Sequence, residues 1–256
     1  VPRHNACQEG DDLTSELGLR KYVPLEERDS YTMGGTTVLP FPSHLCQRTE
    51  EVRVQHADLW AWGEELKDVV LTEKLHGCSA TFIFDEKGQL THVCSRNFVK
   101  AEDDSVWWLM ARQLRQTLSD EKVAEEFRAL CPVVVQGEIC GPNINGNIYK
   151  LPQPTLFLFT TAGFQFDRHD RERTEQVAQV LKVSTVPIVA DHVDLTGRTP
   201  KEILAAYAEG QSLLQPQSLR EGVVGRSRLR ASSAFSFKAL NNAMLAGYGS
   251  TKKKKH

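Results

Sequence analysis

The chain has 256 residues, 40% of them hydrophobic, and 31 Lys and Arg against 33 Asp and Glu give a formal net charge of -2. That length and mix describe one large folded domain, or one of ordinary size with an appendage, and exclude a disordered chain; there is also no apolar run long enough to span a membrane. Four of the positive charges are Lys252 to Lys255, so the rest of the chain is more acidic still, whereas a protein that coats nucleic acid is far more basic. Any nucleic-acid contact here has to be a local patch.

Residues 1–58 are polar and irregular, with Gly34-Gly35 and three prolines between Pro24 and Pro42. They read as an extended lead-in wrapped on a larger body. The visible chain opens on Val1, so a processed or trimmed piece is expected. Strands are predicted at Val69–Lys74, Ala80–Phe84 and Leu90–Cys94, the last two joined by the turn Asp85-Glu86-Lys87-Gly88. Over residues 104–130 the apolar positions Val106, Leu109, Met110, Leu114 and Leu118 recur at helical spacing, and Val123, Phe127 and Leu130 continue it in a second helix. Trp107 and Trp108 fall on the first helix and are assigned to packing. Further strands are predicted at Val133–Cys140, Thr155–Phe166, Val183–Val189, Gly222–Arg226 and Ala234–Leu240. Two more helices are expected, Arg171–Leu181 and one opened by Thr199-Pro200, where proline suits the first turn. Many strands with few helices, not strictly alternating, imply an α+β fold of antiparallel sheets flanked by helices. The division is a lead-in over 1–58, one domain over 59–250 and a disordered basic tail over 251–256.

The six cysteines (Cys7, Cys46, Cys78, Cys94, Cys131 and Cys140) contain no Cys-x-x-Cys pair, and no His-x-x-x-His accompanies them, which argues against structural zinc. Free thiols in a reducing compartment are expected, and no signal-peptide pattern opens the visible chain. The expected location is intracellular, in the cytoplasm.

Neither a Gly-rich loop ending in Gly-Lys-Ser/Thr nor Gly-x-Gly-x-x-Gly occurs. What stands out is a series of isolated polar or aromatic residues on short strands: Lys74 in Glu73-Lys74-Leu75-His76-Gly77, Arg96, Glu138, Phe159, Glu221 and Lys238. Taken singly each is more often solvated structure; as an ordered set, two acids, two lysines and an arginine describe a polyanion and metal site. A lysine beside an apolar strand with cations nearby is expected to lose its proton more easily. Reaching the neutral amine near neutrality needs a shift of about three pH units, roughly 4 kcal/mol, and one close cation at an effective dielectric of 20 is worth about that much. The neutral amine is then a nucleophile.

That ordered set resembles the covalent nucleotidyltransferase superfamily of ATP-dependent DNA and RNA ligases and capping enzymes. Within it the set is most similar to RNA ligases of the bacteriophage RNA ligase 2 kind and of the Deinococcus and Naegleria kind. Thr72 to Gly77 resembles the nucleophile motif in its His-containing form, Gly137-Glu138 through Ile144 the third motif, Glu221 to Val224 the fourth, and Ser236 to Asn241 the fifth. Glu51 to Gln55 and the stretch at 18–22 resemble a segment that follows an N-terminal OB module in the Deinococcus and Naegleria branch, so the chain is expected to lack that module.

The resemblance implies the nucleotidyltransferase fold, ATP and Mg2+ or Mn2+ as cofactors, and nicked or broken RNA ends as partners, with no membrane and a monomeric state. It implies that Lys74 attacks the α-phosphate, that Glu73 or its backbone reads the adenine, and that Phe159 stacks on it. It further implies that Arg96 holds the ribose or the RNA-terminal phosphate, that Arg53 contacts phosphate, and that Lys238 contacts the α-phosphate. Glu138 would bind the ribose and, with Glu221 and His76, anchor water ligands of the metal, while Gly77 closes the nucleophile motif. Two departures stand out. His76 replaces an aspartate of one branch, and Ser236 replaces the first lysine of Lys-x-Lys, leaving Lys238 to act alone unless Arg226, Arg228 or Arg230 reaches in. The implied activity is ATP-dependent RNA ligation through lysyl-AMP and RNA-adenylate. A DNA ligase or capping enzyme is the alternative, though only eighteen residues follow Lys238 where those enzymes carry a further OB module; a non-catalytic module that binds nucleotide or RNA ends is the other.

Overall fold

The computed structural model of the chain describes residues 36–163, 171–229 and 235–246. Expectations for residues 1–35, for 164–166 of the strand predicted to reach Phe166, for Arg230 and Ala234, and for the lysine tail lie outside the described residues. In chain order the strands are β1 (Thr37–Pro40), β2 (Val52–Arg53), β3 (Val69–Glu73), β4 (Cys78–Phe84), β5 (Leu90–Cys94) and β6 (Phe98–Lys100). They continue with β7 (Val133–Cys140), β8 (Thr155–Ala162), β9 (Ser184–Thr185), β10 (Ile188–Val193), β11 (Gly222–Ser227) and β12 (Ser236–Leu240).

These strands build two sheets, ordered β1-β6-β5-β4-β7-β8-β9 and β10-β3-β11-β12-β2. Both are antiparallel except where β8 meets β9 and β12 meets β2. The architecture is the α+β arrangement expected. Three short strands, β1, β2 and β6, were not anticipated, because two to four residues carry no readable period. Among the described residues no helix is long and apolar enough to cross a membrane.

One predicted strand needs correcting. Val183–Val189 is not continuous: Ser184–Thr185 joins the larger sheet and Ile188–Val193 the smaller. Pro187 has no N–H to continue a ladder, and the chain changes sheets across it. Val186 N–H still bonds Leu158 O at 2.8 Å while Pro187 O accepts Glu73 N–H at 2.8 Å, so this passage stitches the two layers together.

Alternation explains the core. Cross-strand pairing aligns Ala80 with Gly137, which faces Leu158, and Phe82 with Val135. That face is covered by the helices Val106–Thr117, Glu121–Arg128 and Arg171–Leu181. Trp107, Met110, Ala111 and Leu114 are buried at the three-to-four residue spacing of one helical face; each fully buried large side chain is worth roughly 1.5–3 kcal/mol. On the smaller sheet Leu71, Val223, Phe237 and Ala239 turn to a second core under the helical turns Leu59–Trp62 and Pro200–Ile203. The latter opens with a capping box between Thr199 and Glu202.

The opposite faces remain for a cleft. On the smaller sheet, Thr72, Val224 and Lys238 form one row and Val70, Arg226 and Ser236 the next; β2 extends the first row by pairing Arg53 with Lys238. On the larger sheet Ser79, Glu138 and Phe157 form a row.

Candidate active site

Glu73 ends β3 on the smaller sheet, and Cys78 begins β4 on the larger one, so the four residues Lys74 to Gly77 cross between the sheets. Every step of the crossing is anchored. Lys74 N–H donates to Gly222 O at 3.0 Å, His76 N–H to the Tyr149 hydroxyl oxygen at 2.7 Å, and Gly77 N–H to Glu138 Oε1 at 3.0 Å. The Asn145 amide donates to Gly77 O at 2.7 Å. Leu75 is buried against Cys140, Tyr149, Phe157 and Val186. A Cβ at Gly77 would lie 2.3 Å from Ile139 O and 2.9 Å from Glu138 Cγ. No other residue fits where the loop presses this close to β7.

The side chains converge on Glu221. Its Oε1 accepts from Lys74 Nζ at 2.6 Å and its Oε2 lies 2.9 Å from His76 Nδ1. Glu221 is 12% exposed, His76 22% and Lys74 27%, so these bonds are shielded without being sealed. Gly222, at φ +152 and with Ala239 O 2.1 Å from where a Cβ would sit, lets β11 begin tightly beside Glu221. Burial pushes the Glu221 carboxyl up, but the His76 hydrogen bond and the Lys74 charge outweigh it and hold it below its ordinary value.

For Lys74 the outcome corrects the sequence expectation. Burial weakens the ammonium as anticipated and is the largest single influence, yet the charges of Glu221 and Glu138 together with the Glu221 hydrogen bond outweigh it and raise the pKa. The nearby acids, Glu221 first, are the reason. The amine whose pKa does fall is Lys238, through burial first and then the charges of Lys74, Arg96 and Arg53, partly opposed by Glu51.

Glu138 is pushed up to about 7, by burial first and then by the Glu221 charge, against the Lys74 charge and the Gly77 N–H. The sign follows directly. Between its ordinary value of 4.5 and about 7 the unfolded chain has released this proton and the folded chain retains it, so folding stability is highest below that window and falls as pH rises through it. We expect the unfolding free energy in chelator, followed through the melting temperature, to fall from about pH 5 to about pH 7 by part of the roughly 1.4 kcal/mol per pH unit that one group can contribute. Glu138→Gln should flatten that slope; a slope that survives the substitution would assign it to another group.

The other predicted residues are distributed around this centre. Arg53 and Lys238 are paired neighbours on β2 and β12. Arg96 lies between β5 and β6 with its Nη2 3.5 Å from Glu50 Oε1, and its charge is felt at Glu138 and Lys238. Phe159 sits at a bulge of β8, where Gly137 faces Leu158 and Gln136 faces Thr160. A bulge re-aims a side chain. Glu73 is buried, accepts the Leu213 N–H at 2.7 Å, and its own N–H goes to Pro187 O, so its carboxylate braces the loop around residue 213.

Sequence reasoning missed Tyr149 and Asn145, which stand in the irregular loop after β7, and assigned no role to Glu51. The one signal for that loop was its Asn-Gly-Asn run: Asn143, Asn145 and Asn147 all take positive φ, a conformation in which asparagine is enriched. Among the described residues no group of three or more His, Cys, Asp or Glu is arranged to hold a metal ion. Glu221 has both oxygens engaged and Glu138 one, so this donor set suits a hydrated hard cation held through water, the form in which Mg2+ usually binds.

Two mostly antiparallel sheets enclosing a lysine, two glutamates and a second lysine define the nucleotidyltransferase type of ligase. The sequence profile of the RNA ligase family matches residues 67–240. The chain belongs to that family, whose members are ATP-dependent RNA ligases. Among solved structures it is similar to Naegleria gruberi RNA ligase with pyrophosphate, at 30% identity and a TM-score of 0.72, over 95% of this chain and 68% of that one. A variant of the same Naegleria enzyme with ATP and Mn matches at 28% identity and a TM-score of 0.73, over 96% and 68%. Another with AMP and Mn matches at 29% and 0.70, over 94% and 68%. Comparison with curated protein sequences gives no match.

Proposed function

We propose that this chain joins RNA 3′-hydroxyl and 5′-phosphate ends in three steps through lysyl-AMP and RNA-adenylate. The observation that carries the reading is the Lys74–Glu221–His76 chain of contacts, placed where the backbone crosses the cleft opposite Glu138. In the first step Lys74 Nζ, having lost a proton, bonds to the α-phosphorus of ATP, and the bond from that phosphorus to pyrophosphate oxygen breaks. AMP then passes to the RNA 5′-phosphate, releasing the lysine, and the 3′-hydroxyl oxygen displaces AMP to form the phosphodiester.

Positioning and charge neutralisation are the protein's task in such displacements. Lys238 and Arg53, adjacent in the sheet, neutralise phosphate oxygens, and Arg96 holds the ribose or the terminal phosphate of RNA. Phe159 stacks on the adenine, and Glu73 or its backbone reads the base edge. Glu138 holds the ribose, and with Glu221 and His76 it anchors the waters of Mg2+ or Mn2+, which when bound neutralises phosphate charge. Because Glu221 and Glu138 together keep Lys74 protonated, attack requires their charge to be balanced by something other than the lysine. The five described cysteines are free thiols, which fits a reducing compartment.

The test supplies α-labelled ATP, a divalent cation and a nicked duplex with either RNA or DNA at the 3′ end of the nick. Labelled protein, labelled RNA-adenylate and a sealed RNA strand are expected, with ATP far better than GTP. Label on the protein without any sealed strand would overturn ligation.

A further inference from the structure

Glu51 and Arg226 line the cleft without a role in the steps above. Arg226 stands in the row of Val70 and Ser236 on the cleft face of the smaller sheet, one row from Lys238. Its Nη2 donates to Glu51 Oε1 at 2.9 Å, and the two side chains are 16% and 10% exposed. Its guanidinium carbon lies 5.9 Å from the centre of the Phe159 ring on the facing sheet, within cation–π range. Arg226 therefore spans the cleft, tied to its own sheet by Glu51 and to the other by an aromatic ring. Phe159 is the extra residue of a bulge, so the strand ladder does not by itself fix that ring. At this contact lies a pocket of about 90 Å³ whose lining includes Thr72, Phe159, Thr160, Arg171 and Arg226. It combines an aromatic wall with guanidinium donors, the Thr72 and Thr160 hydroxyls donating instead to Val224 O and Thr161 O, a lining suited to a planar group whose edge carries hydrogen-bond acceptors.

We infer that Glu51 and Arg226 are a positioning pair for the nucleobase of ATP: Glu51 fixes the guanidinium, and the guanidinium fixes the Phe159 ring and walls the pocket that the base occupies. This rests on the reading of Phe159 as the ring that stacks on the base. A planar guanidinium lies flat on an aromatic face and a compact ammonium does not, so lysine at 226 is a poor substitute. The pair acts on how tightly ATP is held, not on the displacement at phosphorus. The Glu51 charge also reaches Lys74 and Lys238, which makes Arg226 the cleaner position to change.

The full chain is assayed for single-turnover lysyl-AMP formation across ATP concentrations, with the parent beside Arg226→Gln, Arg226→Lys, Glu51→Gln and the double Glu51→Gln/Arg226→Gln. Arg226→Gln should raise the half-saturating ATP concentration about tenfold while leaving the saturated rate within about threefold, the scale of one desolvated cation–π contact. Arg226→Lys should recover only part of that loss. The double variant should be no worse than Arg226→Gln within about twofold, because both changes break one device. In parallel, the rise in melting temperature that ATP produces should shrink in Arg226→Gln. If half-saturation is unchanged, or if ATP still raises the melting temperature of the variant as much as that of the parent, the pair is structural and the inference fails. Should Arg226→Gln not fold, Arg226→Lys and the charge-free double variant carry the same comparison. A parent that forms no lysyl-AMP would sink the ligase reading, and the ATP-dependent melting shift would still judge this pair.

Discussion

Lys74→Ala is expected to remove acid-stable AMP labelling altogether, a loss on the order of 10⁴-fold or more, as when a covalent nucleophile is deleted. The same variant should still seal RNA whose 5′ end is supplied already adenylylated. In that last step the 3′-hydroxyl attacks the adenylate, and no bond to Nζ forms or breaks. Lys74→Arg is the sharper control. It keeps a cation beside Glu221, preserving the partner that a shielded carboxylate needs, yet a guanidinium stays protonated and does not attack phosphorus. Label persisting in either variant would move the nucleophile elsewhere; failure of both to use pre-adenylylated RNA while remaining folded would show that Lys74 serves every step and not only the first.

Glu221→Gln should cost about 10²–10³-fold in the rate of lysyl-AMP formation. The carboxylate makes two bonds, one to the Lys74 ammonium at 2.6 Å and one to His76 at 2.9 Å. Hydrogen bonds to charged groups are worth roughly 1.5–3 kcal/mol each, and every 1.36 kcal/mol is about tenfold in rate. The substitution also has an opposite, smaller effect. Since Glu221 is the leading reason that the Lys74 pKa is raised, its neutral replacement should shift the rising limb of the pH–rate profile toward lower pH even as the plateau falls. A plateau loss without that shift would mean that Glu221 positions the lysine but does not set its charge.

Legibility in the sequence followed distance along the chain. Lys74, Glu138, Glu221 and Lys238 stand out in the sequence because a short contiguous motif surrounds each, and the helices over residues 106–128 and 171–181 because their apolar stripes repeat over many residues. The bonds that make a site were not readable. His76 meets Glu221 across 145 positions, and Tyr149 reaches His76 across 73; no local pattern encodes such pairings. The direction of the Lys74 pKa shift was misjudged for the same reason. A list of cations and acids gives no distances, and the sign depends on which of them is 2.6 Å away. Val183–Val189 reads as one strand because five of its seven residues are β-branched, while the change of sheet at Pro187 is a tertiary event.

Lys74 stands at a joint, not on a wall. The passage at residues 186–187 is tied to the residue just before the 74–77 crossing by the Glu73 to Pro187 hydrogen bond, so the two connections between the layers form one seam. The amine is thus held at the place where both layers meet, so a substitution that loosens either passage would disturb the reacting end of the cleft before it disturbs the outer ends of the sheets.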